Sequence, residues 1–287
     1  MGRSQAQAYA YLLVPDEAAL TSEAQKRLKA LMEFTELGSG YRLATRDLQI
    51  RGAGNILGHS QSGQIESVGM DMYLDLLSQA IAEGARSVSG TEVLITAGAT
   101  EAIAASLLAL LEPGDEVIYP NPGFPIYESM IRFLDAVPVP IPLVEDRGFS
   151  FDLNVLRARL SDRTRLIILN SPQNPTGGVL TRQDIRDIAR AIGDRNIIVL
   201  SDEIYSRIVY DGRYVSMMSY PGMAERTVIL DGFSKSFAMT GWRLGYAVAP
   251  PHITPALTMM VANSYTSVAE FEQYAAITAL REAEKTG

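Results

Sequence analysis

Five short segments of this sequence carry residue types whose combination could do chemistry. In Gly232-Phe233-Ser234-Lys235-Ser236 a lysine follows an apolar run, and Arg243 of Gly241-Trp242-Arg243 lies eight residues beyond it. A half-buried amine at a strand end has its charged form disfavoured, which makes the neutral, Schiff-base-forming amine accessible. Asp202-Glu203-x-Tyr205 follows another apolar run. Asp202 is therefore expected to be partly buried and to need a cationic partner. In Asn170-Ser171-Pro172-Gln173-Asn174-Pro175-Thr176-Gly177-Gly178 the prolines and glycines fix the backbone around Asn174, which suits an amide that must point at something. Phe124, within Asn121-Pro122-Gly123-Phe124-Pro125, either stacks on a flat ring or packs in the core. Gly98-Ala99-Thr100, ahead of a helical pattern, reads as an anion site at a helix start or as a plain N-cap.

These segments need strands and helices to converge. β-rich runs are predicted at Val93–Thr96, Glu116–Tyr119, Leu166–Asn170, Ile197–Ser201, Val228–Asp231 and Leu244–Ala249. Amphipathic helices are predicted between several of them, at Glu101–Leu111, Pro125–Leu134 and Arg182–Ile192, with a turn at Glu112-Pro113-Gly114-Asp115. Such alternation means an α/β fold with a mostly parallel sheet. Ligands of such sheets sit beyond the carboxyl ends of the strands, where these five segments lie.

Composition narrows the function further. The 287 residues include 33 Asp+Glu against 25 Lys+Arg, a net charge of −8, which argues against broad nonspecific nucleic-acid binding. No cysteine is present, which removes disulfides, thiolate nucleophiles and Cys-ligated metals. The two histidines, His59 and His252, stand in no metal-ligand spacing and are assigned surface or loop roles; no metal site is expected. No run approaches the roughly 20 apolar residues of a membrane span, and the start has no signal-peptide core, so a cytoplasmic protein without membrane contact is expected.

Residues from about 90 to 282 resemble the large domain of the class I/II aminotransferases, the aspartate aminotransferase family of fold type I. The resemblance is carried by Asn-Pro-Thr-Gly at 174–177 and Ser-Lys-Ser-x-x-Met-x-Gly-x-Arg from 234 to 243. It implies a three-layer sandwich, the cofactor pyridoxal 5'-phosphate, and amino transfer between an amino acid and a 2-oxo acid in a homodimer. It further implies that Lys235 forms the Schiff base and carries a proton at the substrate α-carbon, while Asp202 pairs with the ring nitrogen. Asn174 and Tyr205 would bond the ring's 3-oxygen and Phe124 would stack on its face. Gly98, Ala99, Thr100, Ser234 and Arg243 would hold the phosphate. At Gly232 relatives can carry a phosphate-binding serine, so one hydroxyl fewer is expected. The family's N-terminal arm, its small C-terminal domain and the arginine that grips the substrate carboxylate are not found. Transamination is therefore expected to be impaired, and the substrate amino acid is left open.

Residues 1–85 resemble something else. An apolar strand at Ala8–Val14 and a helix through Leu20, Ala24, Leu28 and Leu31 lead to a Gly-rich stretch, Leu48 to Ser67, and a second apolar helix from Met70 to Ala82. Gly2-Arg3-Ser4, Leu37-Gly38-Ser39-Gly40 and Asp47-Leu48-x-Ile50-Arg51-Gly52-Ala53-Gly54-x-x-Leu57-Gly58 resemble the translocation motif of bacterial transcription-repair coupling factor. That resemblance implies a small α+β segment ending in a helical hairpin, with contact to DNA or RNA polymerase. No G-x-x-x-x-G-K-[ST] loop occurs, so a motor function of this chain alone is excluded. The change of pattern near Glu83–Gly90 reads as two gene fragments joined, by a real fusion or by an error in assembling the sequence. The alternative function is thus a fragment of a DNA-repair translocase without an ATPase site.

Overall fold

The structure, a computed structural model, describes residues 92–286 together with Gln25 and Lys29. The chain divides into two compact units, Met1–Gln64 and Ile65–Gly287, and residues 92–286 belong to the second. The strand, hairpin and Gly-rich loop expected within residues 1–85 lie outside the described residues, although Gln25 and Lys29 are helical and exposed.

Strands β1 (Val93–Thr96), β2 (Glu116–Asn121), β3 (Val137–Val144), β4 (Ser150–Phe151), β5 (Thr164–Asn170), β6 (Ile198–Asp202), β7 (Thr227–Gly232) and β8 (Gly245–Val248) form one sheet. Their order is β1-β8-β7-β6-β5-β2-β3-β4. The pairs β2–β3, β2–β5, β5–β6 and β6–β7 are parallel; β8 is antiparallel to both β7 and β1. The α/β class with a mostly parallel sheet is as expected.

Helices cover both faces. α1 (Ala99–Leu110) and α2 (Ile126–Phe133) put Ile103, Leu107 and Ile131 against Leu166 and Ile168 of β5. α3 (Leu153–Arg159) and α4 (Arg182–Ile192) put Leu156, Ile185 and Ile188 against the alternate residues Ile167 and Leu169. One strand thus feeds two cores, which is the three-layer sandwich. Each such aliphatic side chain, fully buried, contributes about 1.5–3 kcal/mol. The amphipathic α4 begins at a capping box in which Thr181 and Asp184 satisfy each other's backbone N–H groups. It follows its predicted bounds residue for residue. α5 (Phe233–Ser236), α6 (Thr254–Ser264) and α7 (Glu270–Thr286) complete the helices; Ala276, Ile277 and Leu280 of α7 bury with Phe233 and Leu244.

β3 is not among the predicted runs, and its Pro138, Pro140 and Pro142 weaken the strand signal there. Alternate N–H groups of a strand point to opposite edges. The three prolines share the edge away from β2, where β4 pairs only with Leu143 and Val144, so their missing donors break no ladder bond.

Topology sets the site. β1 and β7 both run antiparallel to β8, so β1 runs in the same sense as β7, β6, β5 and β2. The carboxyl ends of these five strands therefore meet the amino end of β8 at one edge. From β2 the chain moves outward to β3 and β4, then returns to β5 on the other side of β2. This reversal opens a crevice beyond β2 and β5. Among the described residues no helix is long and apolar enough to cross a membrane.

Candidate functional site

A pocket of about 200 Å³ lies at that edge. Nine of the ten residues predicted for the site line it: Ala99, Thr100, Phe124, Asn174, Asp202, Tyr205, Ser234, Lys235 and Arg243. The tenth, Gly98, stands behind Arg243, close enough that an added Cβ would lie 2.5 Å from Nη2. Five other lining residues, Ile103, Tyr127, Asn170, Ile204 and Thr240, were not singled out from the sequence.

One wall suits an anion. β1 turns through Gly98 (φ 82) straight into α1, and Gly98 offers no side-chain cap. The first N–H groups of the helix have no intrahelical acceptor, and its dipole adds positive potential. Arg243, in the left-handed region at φ 49, brings its guanidinium to the same place and donates from Nη1 to the Thr240 carbonyl at 3.1 Å. Gly245 lets β8 approach: a Cβ there would lie 2.5 Å from the Ala99 nitrogen.

The same pocket holds a carboxylate. Asp202 ends β6 and is only 4% exposed. Its Oδ2 accepts from the Tyr127 hydroxyl at 2.5 Å and its Oδ1 from the Ile204 N–H at 3.3 Å. Burial pushes its pKa up, and those two donors pull it back. The expected cationic partner is not found: among the described residues Asp202 has neutral donors and no ion pair. Among the described contacts its negative form therefore has no positive charge against it, a place that a cationic group entering the pocket could take.

Lys235, in α5 just after β7, extends along the pocket with Nζ 5.7 Å from the Tyr205 ring centroid. The expectation of a half-buried lysine is corrected. Lys235 is exposed, because the four-residue α5 buries Phe233 in the core and leaves Lys235 on its open side. Of the two readings of Phe124, core packing is seen, and its place in the pocket leaves a face available to a flat ring. Phe124 lines the pocket and also packs on the core, edge-on to Tyr127 at 5.9 Å and 84°.

Asn174 is positioned by two buried amides. Asn170 Oδ1 accepts from the Asn174 N–H at 2.8 Å, while its Nδ2 donates to the Asp202 carbonyl at 3.1 Å across the β5–β6 register pair. Gln173 Nε2 donates to the carbonyls of Pro122 and Asn174, and Gln173 Oε1 accepts from both the N–H and the hydroxyl of Thr176. The loops after β2 and β5 are thereby tied together. The three-residue spacing from Phe124 was the signal available for Tyr127, and the position closing the β5 run was the signal for Asn170.

A larger cleft, about 650 Å³, lies at the opposite edge of the sheet. Two of its arginines are already engaged. Arg163 pairs with Glu116 at 2.6 Å, and Arg195 Nη1 donates to the Ala191 and Ile192 carbonyls. His252 is exposed in a turn, and His59 lies outside the described residues.

The family model for aminotransferases of class I and II matches residues 50–287. The chain belongs to that family. Among curated relatives, this aminotransferase-family chain is 39% identical over 195 residues to an aspartate aminotransferase of Sulfolobus acidocaldarius, covering 67% of this chain and 49% of that protein. It is 37% identical over 221 residues to an aspartate aminotransferase of Pyrococcus abyssi, covering 75% of this chain and 57% of that protein. The solved structure of an aromatic aminotransferase from Pyrococcus horikoshii superposes with a TM-score of 0.72 at 36% identity, over 75% of this chain and 59% of that one. The chain spans about half the length of the curated relatives it matches.

Proposed function

We propose that this chain is the large domain of a pyridoxal-phosphate-dependent aminotransferase that moves an amino group from an amino acid to a 2-oxo acid. The observation that carries the reading is Asp202, a buried carboxylate without a cationic partner among the described residues, sharing one pocket with an amine and with an arginine at a helix start. This charge order fits a flat group with a protonated ring nitrogen at one end and a phosphate at the other, and the residues present therefore fit pyridoxal phosphate. When bound, it supplies a carbonyl carbon that takes up amino groups and a ring that draws electrons from the substrate α-carbon.

The chain's own residues do the rest. Asp202 holds the proton on the ring nitrogen, since a buried carboxylate gains most from a cation in contact. The α1 N-terminus, the Thr100 and Ser234 hydroxyls and the Arg243 guanidinium bind the phosphate. Phe124 covers a ring face, and Asn174 and Tyr205 hydrogen-bond the ring oxygen. Lys235 anchors the group through its amine and moves the proton at the substrate α-carbon. A homodimer acting in the cytoplasm on amino and 2-oxo acids belongs to the same reading.

The test is an absorbance titration of the purified chain with pyridoxal phosphate, followed by borohydride trapping and peptide mapping. An adduct on Lys235 that is lost in Lys235→Ala is the expected result. No saturable absorbance change, or trapping spread over other lysines, would end the reading.

For residues 1–85 the coupling-factor reading rests on Gly2-Arg3-Ser4, Leu37-Gly38-Ser39-Gly40 and the motif from Asp47 to Gly58. It overlaps the aminotransferase match over residues 50–85. DNA titration at two salt concentrations tests it: affinity that falls with salt supports contact with the backbone phosphates, and absence of binding rejects it.

A further inference from the structure

We propose that Tyr127 is a positioning residue that keeps Asp202 charged and aimed at the ring nitrogen of the bound group. The inference rests on the pyridoxal-phosphate reading of the pocket. It concerns a residue that no motif singled out, and it follows from how the carboxylate is held.

Tyr127 lies in α2, wholly buried, with its ring among the core residues beneath the sheet edge. A buried phenol needs a partner for its hydroxyl, and here that partner is Asp202 Oδ2 at 2.5 Å. Burial and the neighbouring carboxylate raise the phenol's pKa well above its usual value, so it stays protonated and donates throughout the neutral range. The rest of Asp202 is fixed by the backbone. Its carbonyl accepts from Asn170 Nδ2 and from the Ser171 N–H, and its Oδ1 accepts from Ile204. Without the phenol, Oδ2 would have no donor among the described residues, and the carboxyl would favour its neutral form.

The other titratable groups that face this pocket are Tyr205 after β6, Lys235 of α5 and Arg243 before β8. None of them forms a hydrogen bond or ion pair with the Asp202 carboxylate among the described contacts. Tyr127 also supports Phe124 edge-on, so the contact to the ring face and the contact to the ring nitrogen share one support.

The experiment compares the full-length chain with Tyr127→Phe and Asp202→Asn, following pyridoxal phosphate affinity by absorbance across the acid and neutral range. The change to Phe keeps the buried volume and removes only the donor. Tyr127→Phe is expected to weaken binding about tenfold at neutral pH. It should also move the acid limb of the affinity profile up by about one pH unit, because a less supported carboxylate protonates sooner. An unmoved limb would overturn the proposal, whether affinity is unchanged or lower by the same factor at every pH, since lost packing alone has that signature. If Tyr127→Phe unfolds, Asp202→Asn decides. A flattened acid limb supports the proposal, and the limb of the unaltered chain overturns it, because binding would then not sense the charge on Asp202. Absence of saturable binding by the unaltered chain is a separate outcome, which removes the proposed function and this inference together.

Discussion

Gly98 and Arg243 occupy neighbouring space so closely that a Cβ on the glycine would lie 2.5 Å from Arg243 Nη2. Both residues have positive φ, 82 and 49. For arginine that conformation costs about 1–3 kcal/mol, and it is tolerated where the surroundings impose it. Here it brings the guanidinium against Gly98, the residue before α1.

Gly98→Ala should therefore act twice. The methyl displaces the guanidinium, and alanine resists the glycine's φ. A loss of about 1–2 kcal/mol in unfolding free energy is expected. Pyridoxal phosphate and inorganic phosphate should both bind about tenfold more weakly, as befits a lost charge-assisted contact. Titration of the two ligands checks this: weakening of pyridoxal phosphate alone would place the effect away from the phosphate.

Gly232 is where a serine was considered as an additional phosphate donor. A Cβ there would meet the Gly245 Cα and the Leu244 carbonyl oxygen, each at 2.9 Å, and both are backbone atoms that cannot swing aside. Gly232→Ser is expected to destabilise the chain by about 1–3 kcal/mol through overpacking of β7 on β8. Chemical denaturation measures this, and a variant as stable as the unaltered chain, with tighter phosphate binding, would show that β8 gives way.

Much of this arrangement was legible in the sequence, for physical reasons that can be named. β5, β6 and β7 are buried on both faces and so read as continuous apolar runs, and the polar residues that end those runs had to lie at the sheet edge. That logic located Asn174, Asp202 and Lys235 without coordinates. It failed where partners come from elsewhere in the chain. Asp202 was given a cation because burial demands compensation, yet its partner is a phenol 75 residues away, which spacing cannot reveal. β3 was hidden because a strand's tolerance of proline depends on which edge is open, and pairing decides that. Lys235 was judged half-buried from the run before it, whereas the chain leaves the sheet at Gly232.

Asn170 is the link between two site residues, and its removal should be felt at both. Asn170→Ala leaves the Asn174 N–H and one Asp202 carbonyl bond unmade and is expected to cost about 1–3 kcal/mol in urea denaturation. Asn170→Asp keeps the acceptor but sets a second buried carboxylate beside the Asp202 backbone. It should be the worse of the two at neutral pH and recover in acid, where it becomes neutral. Equal effects of the two variants at both pH values would mean that the amide serves only as filler.

Asp231, at the end of β7, makes stability depend on pH. Its carboxyl accepts from the Gly232 N–H at 2.6 Å and from the Tyr246 hydroxyl at 3.0 Å, yet burial pushes its pKa up to about 8. Those donors and Arg207 pull it down, while Glu203 pushes it further up. In the unfolded chain the same group titrates near pH 4. The folded state therefore binds the proton more tightly. The stabilisation this brings is complete below about pH 4 and is lost progressively as pH rises through about 8. With one pKa unit worth about 1.4 kcal/mol, this is enough to lower the melting temperature measurably between those limits. Asp231→Asn keeps an acceptor for the Gly232 N–H and cannot ionise, so its stability should decline less over that interval. It should exceed that of the unaltered chain at the alkaline end. Melting curves taken from acid to alkaline pH decide the matter: parallel decline in the two proteins would assign the dependence to the other carboxyls whose pKa burial raises, Asp202 and Glu272, rather than to Asp231.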